Sequence, residues 1–377
     1  DTVVAGVRLT TPMLQIHTVA AGGGSICFFD GARLRVGPRS AGANPGPACY
    51  RRGGPLTITD CNVLLGRVRP EFFPAIFGPE ANERLDADGV ARKFEELCAA
   101  IEAATGAKLS PEDAAEGFIA IANQHMAEAI RKISIQRGYD PRGYVLCAFG
   151  GAGGQHACAV ADAVGVETIL LHPLAGVLSA WGMGLADMRV VREVSIEERL
   201  GADLSDRLAR LSEEARGALA AQGAEDGAIE TAVVAHVRYD GGEVALPLPW
   251  SDADALAKAF EEEHRRRFGF TDPRRAMLVA KLSVEAVGRG DASPASETAP
   301  AQAPANPAAQ VSLRARGAAR DAPVFQRNDL PAGFTLDGPA LVIESGATTF
   351  VDAGWQAMLN AHGDLILERV TPLGERG

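Results

Sequence analysis

The run Phe149-Gly150-Gly151-Ala152-Gly153-Gly154-Gln155-His156 constrains the fold more than any other part of the chain. It follows Tyr144 to Phe149, a short apolar stretch with the composition of a buried strand. Gln155 to Val164 then reads as a helix, Gly165 stops it, and Glu167 to Leu171 reads as a second strand before Pro173. A strand, a glycine turn, a helix and a strand within about 30 residues make a βαβ unit, so an α/β fold is expected. Glycines at such a bend serve one of two ends. They let a ligand approach the backbone beside a helix N-terminus, whose free N–H groups and partial positive charge favour an anion or a nucleotide. Alternatively they only permit tight helix–strand packing. The residues alone leave both open. The spacing is not Gly-x-Gly-x-x-Gly and no Gly-Lys-Ser/Thr follows, which excludes a Walker loop.

Upstream, Leu14 to Val19 alternates as a half-buried strand does, Gly22-Gly23-Gly24-Ser25 breaks it, and Ile26 to Phe29 resumes. Asp30-Gly31 signals a hairpin before Leu34-Arg35-Val36. Gly37 to Pro47 is too rich in Gly and Pro for regular structure and suits a fixed loop over a cleft. Thr57 to Asp60 reads as a strand running into Asn62. Residues 86–138 read as helical, with a start at Ser110-Pro111, a core face through Phe118, Ile121, Ala122, His125, Ala129 and Ile133, and Gly138 as the closing residue. Gly176 to Met188 reads as a close-packed Ala/Gly-rich helix. Beyond residue 192 the character changes: charged helices near 203–222 and 252–268, strands near 231–238, 243–248 and 277–287, an Ala/Pro/Ser stretch over 290–310 expected as a flexible loop, and short strands to Leu367. The expected division is therefore 1–191 and a β-rich α+β C-terminal module over 192–377.

With 37 Lys+Arg against 48 Asp+Glu the net charge is −11, which argues against a nucleic-acid partner. No apolar stretch is long enough to span a membrane. The six cysteines lie in the first 160 residues without a Cys-x-x-Cys pair, so reduced buried thiols and a cytoplasmic location are expected. The opening at Asp1, without Met or a leader, reads as a cut end of a longer protein.

Several residues could carry chemistry. Gly22-Gly23-Gly24-Ser25 could offer backbone N–H groups to phosphate or be a plain turn. His17 and His156 could polarise a carbonyl or orient a water, or be structural. Asp60 and Asn62 could hold a magnesium-bound water or a substrate polar group, or cap the next turn. Arg131, Lys132 and Arg137 could meet phosphates or pair with helix carbonyls. His125 reads as a core residue.

Longer motifs then become recognisable. Ile16 to Ser25, Val36 to Tyr50, Thr57 to Asn62, Ala129 to Ser134 with Arg137-Gly138 and Asp140-Pro141-Arg142, and Ala148 to Gly153 with His156-Ala157 resemble the hydantoinase A/5-oxoprolinase family. So do Arg238-Tyr239-Asp240-Gly241, His264 with Phe268-Gly269-Phe270, and Gly338-Pro339-Ala340 further on. The resemblance implies an ATP-dependent opening of lactam or hydantoin rings. It also implies a ribonuclease-H-like half of the actin, sugar-kinase and heat-shock ATPase type, with Gly150, Gly151, Ala152, Gly153 and Gly154 at the nucleotide and Gly22, Gly23, Gly24 and Ser25 with the 37–47 loop lining the reacting cleft. His17, His156 and Asp60 are the candidate catalytic residues, ATP and Mg²⁺ the implied cofactors. A second large subunit of hydantoinase B type is the implied partner.

The chain departs from the family pattern at three points. Gly154-Gln155 stands where a Pro is usual, Gly242 stands where a Gln is usual, and the Asp-x-Gly-Gly-Thr phosphate segments, normally upstream, are absent from these residues. The motifs also suit an acetone- or acetophenone-type carboxylase subunit, and the absent segments suit a non-catalytic assembly module.

Overall fold

The computed structural model describes residues 18–135, 138–288 and 305–372, and the backbone of 2–4 and 7–9. The described chain forms two compact units, 1–179 with 295–377 and 180–294.

The first unit opens with strands β1 (Thr2–Val4) and β2 (Val7–Leu9), paired antiparallel. The hairpin of β3 (Ser25–Phe29) and β4 (Leu34–Ser40) follows, turning at Asp30, whose carboxylate accepts from the N–H groups of Ala32 and Arg33. Helix α1 (Ile58–Leu64) stands where the sequence pattern pointed to a strand. The reason is local: Asp60, three residues after Thr57, accepts from that residue's N–H at 2.7 Å, a capping interaction that starts a helix. Helices α2 (Ala87–Thr105) and α3 (Pro111–Ile133) are separated by Gly106 at φ +73° and the Ser110 cap. Helix α3 stops at Ile133, before the expected Gly138. Phe94 and Phe118, fully buried, join the two helices to a core that also holds Ile58 and Cys61.

The βαβ unit is present as β5 (Leu146–Cys147), α4 (Gly153–Val164) and β6 (Thr168–Leu171), with β5 and β6 parallel. Gly165 closes α4 at φ +80°. Helix α5 (Leu178–Leu185) was expected to be closely packed, yet none of its residues is buried.

The second unit is one antiparallel sheet of β7 (Met188–Arg199), β8 (Ile229–Tyr239), β9 (Leu246–Pro249) and β10 (Met277–Gly288), in the order β7-β10-β8-β9. Helix α6 (Ser205–Ala220) packs on β7 and β10, and α7 (Ala253–Phe268) on β9. Tyr239 and His264 have structural work here. Their rings lie 5.0 Å apart, the tyrosine hydroxyl accepts from the Asp272 N–H, and His264 Nδ1 meets the Phe270 carbonyl at 2.8 Å.

The chain then returns to the first unit as β11 (Ala309–Ala315), β12 (Ala318–Gln326), β13 (Thr335–Asp337), β14 (Ala340–Glu344), β15 (Ala347–Val351), β16 (Trp355–Leu359) and β17 (Leu365–Arg369). Strand β17 pairs antiparallel with β6, Leu365 opposite Leu171, and completes the mixed sheet β13-β16-β17-β6-β5. The fold is thus α/β with mixed sheets. The residues over 192–377 divide between the two units, because β17 supplies the ladder partner that β6 needs. Of the stretch expected as a loop at 290–310, residues 290–304 lie outside the described residues, and β11 begins at Ala309.

Candidate functional site

The two glycine runs, 128 residues apart between Gly22 and Gly150, come together in the first unit. A Cβ placed on Gly23 would lie 3.6 Å from the Ala152 Cβ and 2.7 Å from Thr59 Oγ1. The Thr59 N–H and hydroxyl both donate to the Gly23 carbonyl, at 2.9 and 3.0 Å, which fixes the first run on the start of α1. Within that run the Ser25 N–H donates to the Gly22 carbonyl, closing a tight turn, and Ser25 itself is buried. The 37–47 loop is tied to the same place: the Ala41 N–H and the Ser40 hydroxyl both reach the Gly24 carbonyl. On the α4 side, Gln155 Oε1 accepts from Asn62 Nδ2 at 2.8 Å and couples the start of α4 to α1.

The five-residue bend at 150–154 splits by cause. Gly150 sits at φ +87°, a region side chains avoid. A Cβ on Gly151 would come within 2.8 Å of the Gly346 carbonyl, and one on Gly154 within 2.5 Å of Thr349 Oγ1. Those three glycines are required by the turn and by packing on β15. Gly153 is different, because a Cβ there would meet only a backbone carbon at 3.8 Å. Gly22 has nothing within 4 Å of that position. Helix α4 begins at Gly153 with no side-chain cap, and Gly151 is exposed. The backbone at Gly22 and at Gly153 is therefore not crowded by neighbouring side chains.

Asp60 stands with this cluster as a buried strut. Its carboxylate accepts from the N–H groups of Ala48 at 3.0 Å, Cys49 at 2.8 Å and Thr57 at 2.7 Å, and from the Thr57 hydroxyl at 2.9 Å. It is fully buried, and that burial holds its pKa above the ordinary carboxylate range despite these donors. The residue so anchors the end of the 37–47 loop to α1.

His156 lies one helix position beyond Gln155, buried, with Nδ1 2.7 Å from Asn123 Oδ1. A carbonyl oxygen can only accept, so Nδ1 carries the proton and Nε2 keeps its lone pair. No partner meets Nε2 among the described residues. Burial, reinforced by the nearby Arg67 charge, lowers the pKa of His156 to about 4, and the ring is neutral at pH 7. His17 and residues 14–17 of the strand read over 14–19 lie outside the described residues, as does Arg137, and residues 18–19 are not in a strand.

His125 differs from its reading as a core residue. It is half-buried and lines two cavities, of about 440 and 710 Å³, between α3 and β4. Gly37 and Pro38 line the second of these, but they lie in β4, so the stretch expected to be irregular from residue 37 is strand to Ser40 and loop only over 41–47. The helical period alone could not separate a face against core from a face against a groove. Among the described residues, no group of three or more His, Cys, Asp or Glu side chains is placed to hold a metal ion. All six cysteines are free thiols, and no helix of the described residues is long and apolar enough to cross a membrane.

A mixed-sheet α/β unit in which two glycine turns converge on helix starts defines the class of the molecule. The sequence pattern of hydantoinase/oxoprolinase proteins matches residues 1–192. The 5-oxoprolinase of Saccharomyces cerevisiae is 37% identical over 96% of this chain and 30% of its own length. Caprolactamase subunit alpha of Pseudomonas jessenii is 32% identical over 94% of this chain and 52% of its own length. The crystal structure of that ATP-dependent caprolactamase superposes with a TM-score of 0.70 at 29% identity, covering 96% of this chain and 54% of the other. A nucleotide-free acetone carboxylase structure gives a TM-score of 0.74 at 22% identity over 93% of this chain and 52% of the other, a likeness of fold alone. The chain belongs to the hydantoinase/oxoprolinase family. It spans 30% of the length of the yeast relative and 52% of caprolactamase subunit alpha.

Proposed function

We propose that this chain is part of an ATP-dependent hydrolase of cyclic amides and that the converging glycine turns hold the nucleotide. The observation that carries the reading is the uncrowded backbone at Gly22 and Gly153 beside the uncapped start of α4. In this reading the backbone N–H groups of Gly22, Gly23 and Gly24 would receive phosphate, and Gly150 to Gly154 would border the rest of the molecule. ATP, when bound, supplies a phosphoryl group that turns an amide oxygen into part of a leaving group and makes the ring carbon electrophilic. The chain's own part is to bind and orient. Asp60 holds the 37–47 loop in place, and His156, neutral and buried, keeps the α3–α4 packing rather than moving a proton at pH 7. Mg²⁺ in this reading comes with the phosphates, as it does where few protein carboxylates surround it.

The reading extends to a ribonuclease-H-like first unit, resting on β5–α4–β6, to a second large subunit of hydantoinase B type, and to a cytoplasmic setting suited to free thiols. Two relatives above 30% identity are named a 5-oxoprolinase and a caprolactamase subunit, which supports the hydrolase over a carboxylase.

Gly153→Ala tests it. A Cβ there makes only an ordinary contact, so the variant should fold with little change in stability. It should lose tenfold or more in ATP affinity by calorimetry. Equal affinity in the variant, or no heat from the wild-type chain at millimolar ATP, would remove the nucleotide from this bend. Substrate-dependent ADP release that requires bicarbonate would favour the carboxylase.

A further inference from the structure

Cys27 in β3 and Cys61 in α1 bring their sulfurs to 3.9 Å in the core of the first unit. No atom fits between two sulfurs at that separation. The backbones on either side are already fastened. The Cys27 N–H donates to the Leu56 carbonyl at 2.8 Å, Ile26 bridges Thr57, and the Cys61 N–H donates to the Thr57 carbonyl at 3.1 Å. To reach the bonded distance of about 2.05 Å, each sulfur has to close by about 1 Å. Another polar neighbour of Cys27 Sγ is the Ser25 carbonyl, at 3.8 Å, which is a weak hold. Access differs between the two thiols. Cys61 is 0% exposed and Cys27 4%. Burial beside Cys27 pushes the Cys61 thiol well above the usual range, so it stays protonated in the closed fold. Cys27 sits in a sheet of only two strands, β3 and β4, the kind of sheet with least stability of its own.

We propose that Cys27 and Cys61 form a thiol–disulfide modification site, which a low-molecular-weight disulfide such as oxidised glutathione converts into a covalent bond between β3 and α1. Local opening of the β3–β4 hairpin uncovers Cys27 first. The exchange then balances in two steps. The Cys27 thiolate attacks one sulfur of the reagent, the reagent's S–S bond breaks, and one glutathione leaves as a thiolate that takes up the proton Cys27 gave. Cys61 next loses its proton to solvent and attacks the Cys27 sulfur, and the second glutathione leaves and is protonated in turn. The protein gives up two electrons and two protons, and the reagent becomes two thiols. The new bond joins positions 34 residues apart and encloses the 41–47 loop. It pins β3, which starts at Ser25, to the helix whose Thr59 already holds the Gly23 carbonyl. The link so blocks the same opening that admits the reagent, and a reductant releases it. This site goes beyond the nucleotide reading and stands without it.

The test uses the whole chain carrying Cys147→Ser, which removes the exposed thiol. The protein is incubated with oxidised glutathione, alkylated after unfolding, and digested for mass spectrometry. A pair of peptides joined through Cys27 and Cys61 is expected, with both thiols protected from the alkylating reagent and both restored by dithiothreitol. Hydrogen exchange at the β3 amides should slow at least tenfold in the linked protein. Cys61→Ala in the same background should stop at one glutathione on Cys27. The linked peptides in its parent carry the test if that variant fails to fold. Two thiols still open to alkylation after oxidation overturn the proposal. So does a link from Cys27 or Cys61 to a different cysteine in place of this one, or unchanged exchange at β3 in the linked protein.

Discussion

Asp60→Ala should destabilise the first unit by roughly 3–5 kcal/mol, because three buried backbone N–H groups lose their acceptor at about 1–3 kcal/mol each. The substitution removes a carboxylate that accepts from four donors, three of them backbone N–H groups in a segment with no other acceptor shown for them. Water cannot replace it, since the residue is 0% exposed. Asp60→Asn keeps the shape but offers one oxygen where there were two, so it should fall between wild type and alanine. Urea unfolding followed by far-UV circular dichroism reads the difference. A variant that stays within 1 kcal/mol of wild type yet loses turnover would return Asp60 to the catalytic role its motif suggested.

The second large effect is a dependence on acidity carried by His156. Its pKa falls to about 4 in the folded chain, against the ordinary histidine value of about 6.5. Between those values the unfolded chain takes up a proton that the folded chain refuses. Stability from this residue is therefore complete above pH 6.5 and drains away as the pH falls toward 4, by up to about 3 kcal/mol. Unfolding free energies of wild type and His156→Gln at pH 7.5 and 4.5 should differ in their acid loss by about that amount, since glutamine can still donate to Asn123 Oδ1 and does not titrate. An identical acid loss in both proteins would show that the ring is not buried neutral.

The sequence announced the βαβ unit clearly, because Gly150 and Gly165 are both demanded by positive φ and mark the ends of α4 from outside. It announced Ser110-Pro111 for the same reason, a cap whose chemistry is local. Thr57 to Asp60 misled, because β-branched residues favour a strand, and a capping role for Asp60 pointed to the turn after it instead of to a helix beginning at Ile58. The convergence of the two glycine runs had no local signal, since it depends on Thr59 binding the Gly23 carbonyl. Nor did the contact between Cys27 and Cys61, which lie 34 positions apart in the chain. Family resemblance named the runs at 22–25 and 150–154 together, and the structure adds a physical sorting: Gly151 and Gly154 are crowded by β15 and the turn before it, Gly153 makes only an ordinary contact with Ala148, and Gly22 faces open space.

Strand β15 backs that bend, through the Thr348 N–H to the Gly151 carbonyl, and β17 closes the sheet beside it. A ribosome making this chain emits Gly151 about 200 residues ahead of these supports. At about 5–20 residues per second that is a delay on the order of ten to forty seconds. The edge of β6 that β17 covers has no ladder partner until synthesis has passed Arg369, so yield in a cell should depend on what shields that edge meanwhile.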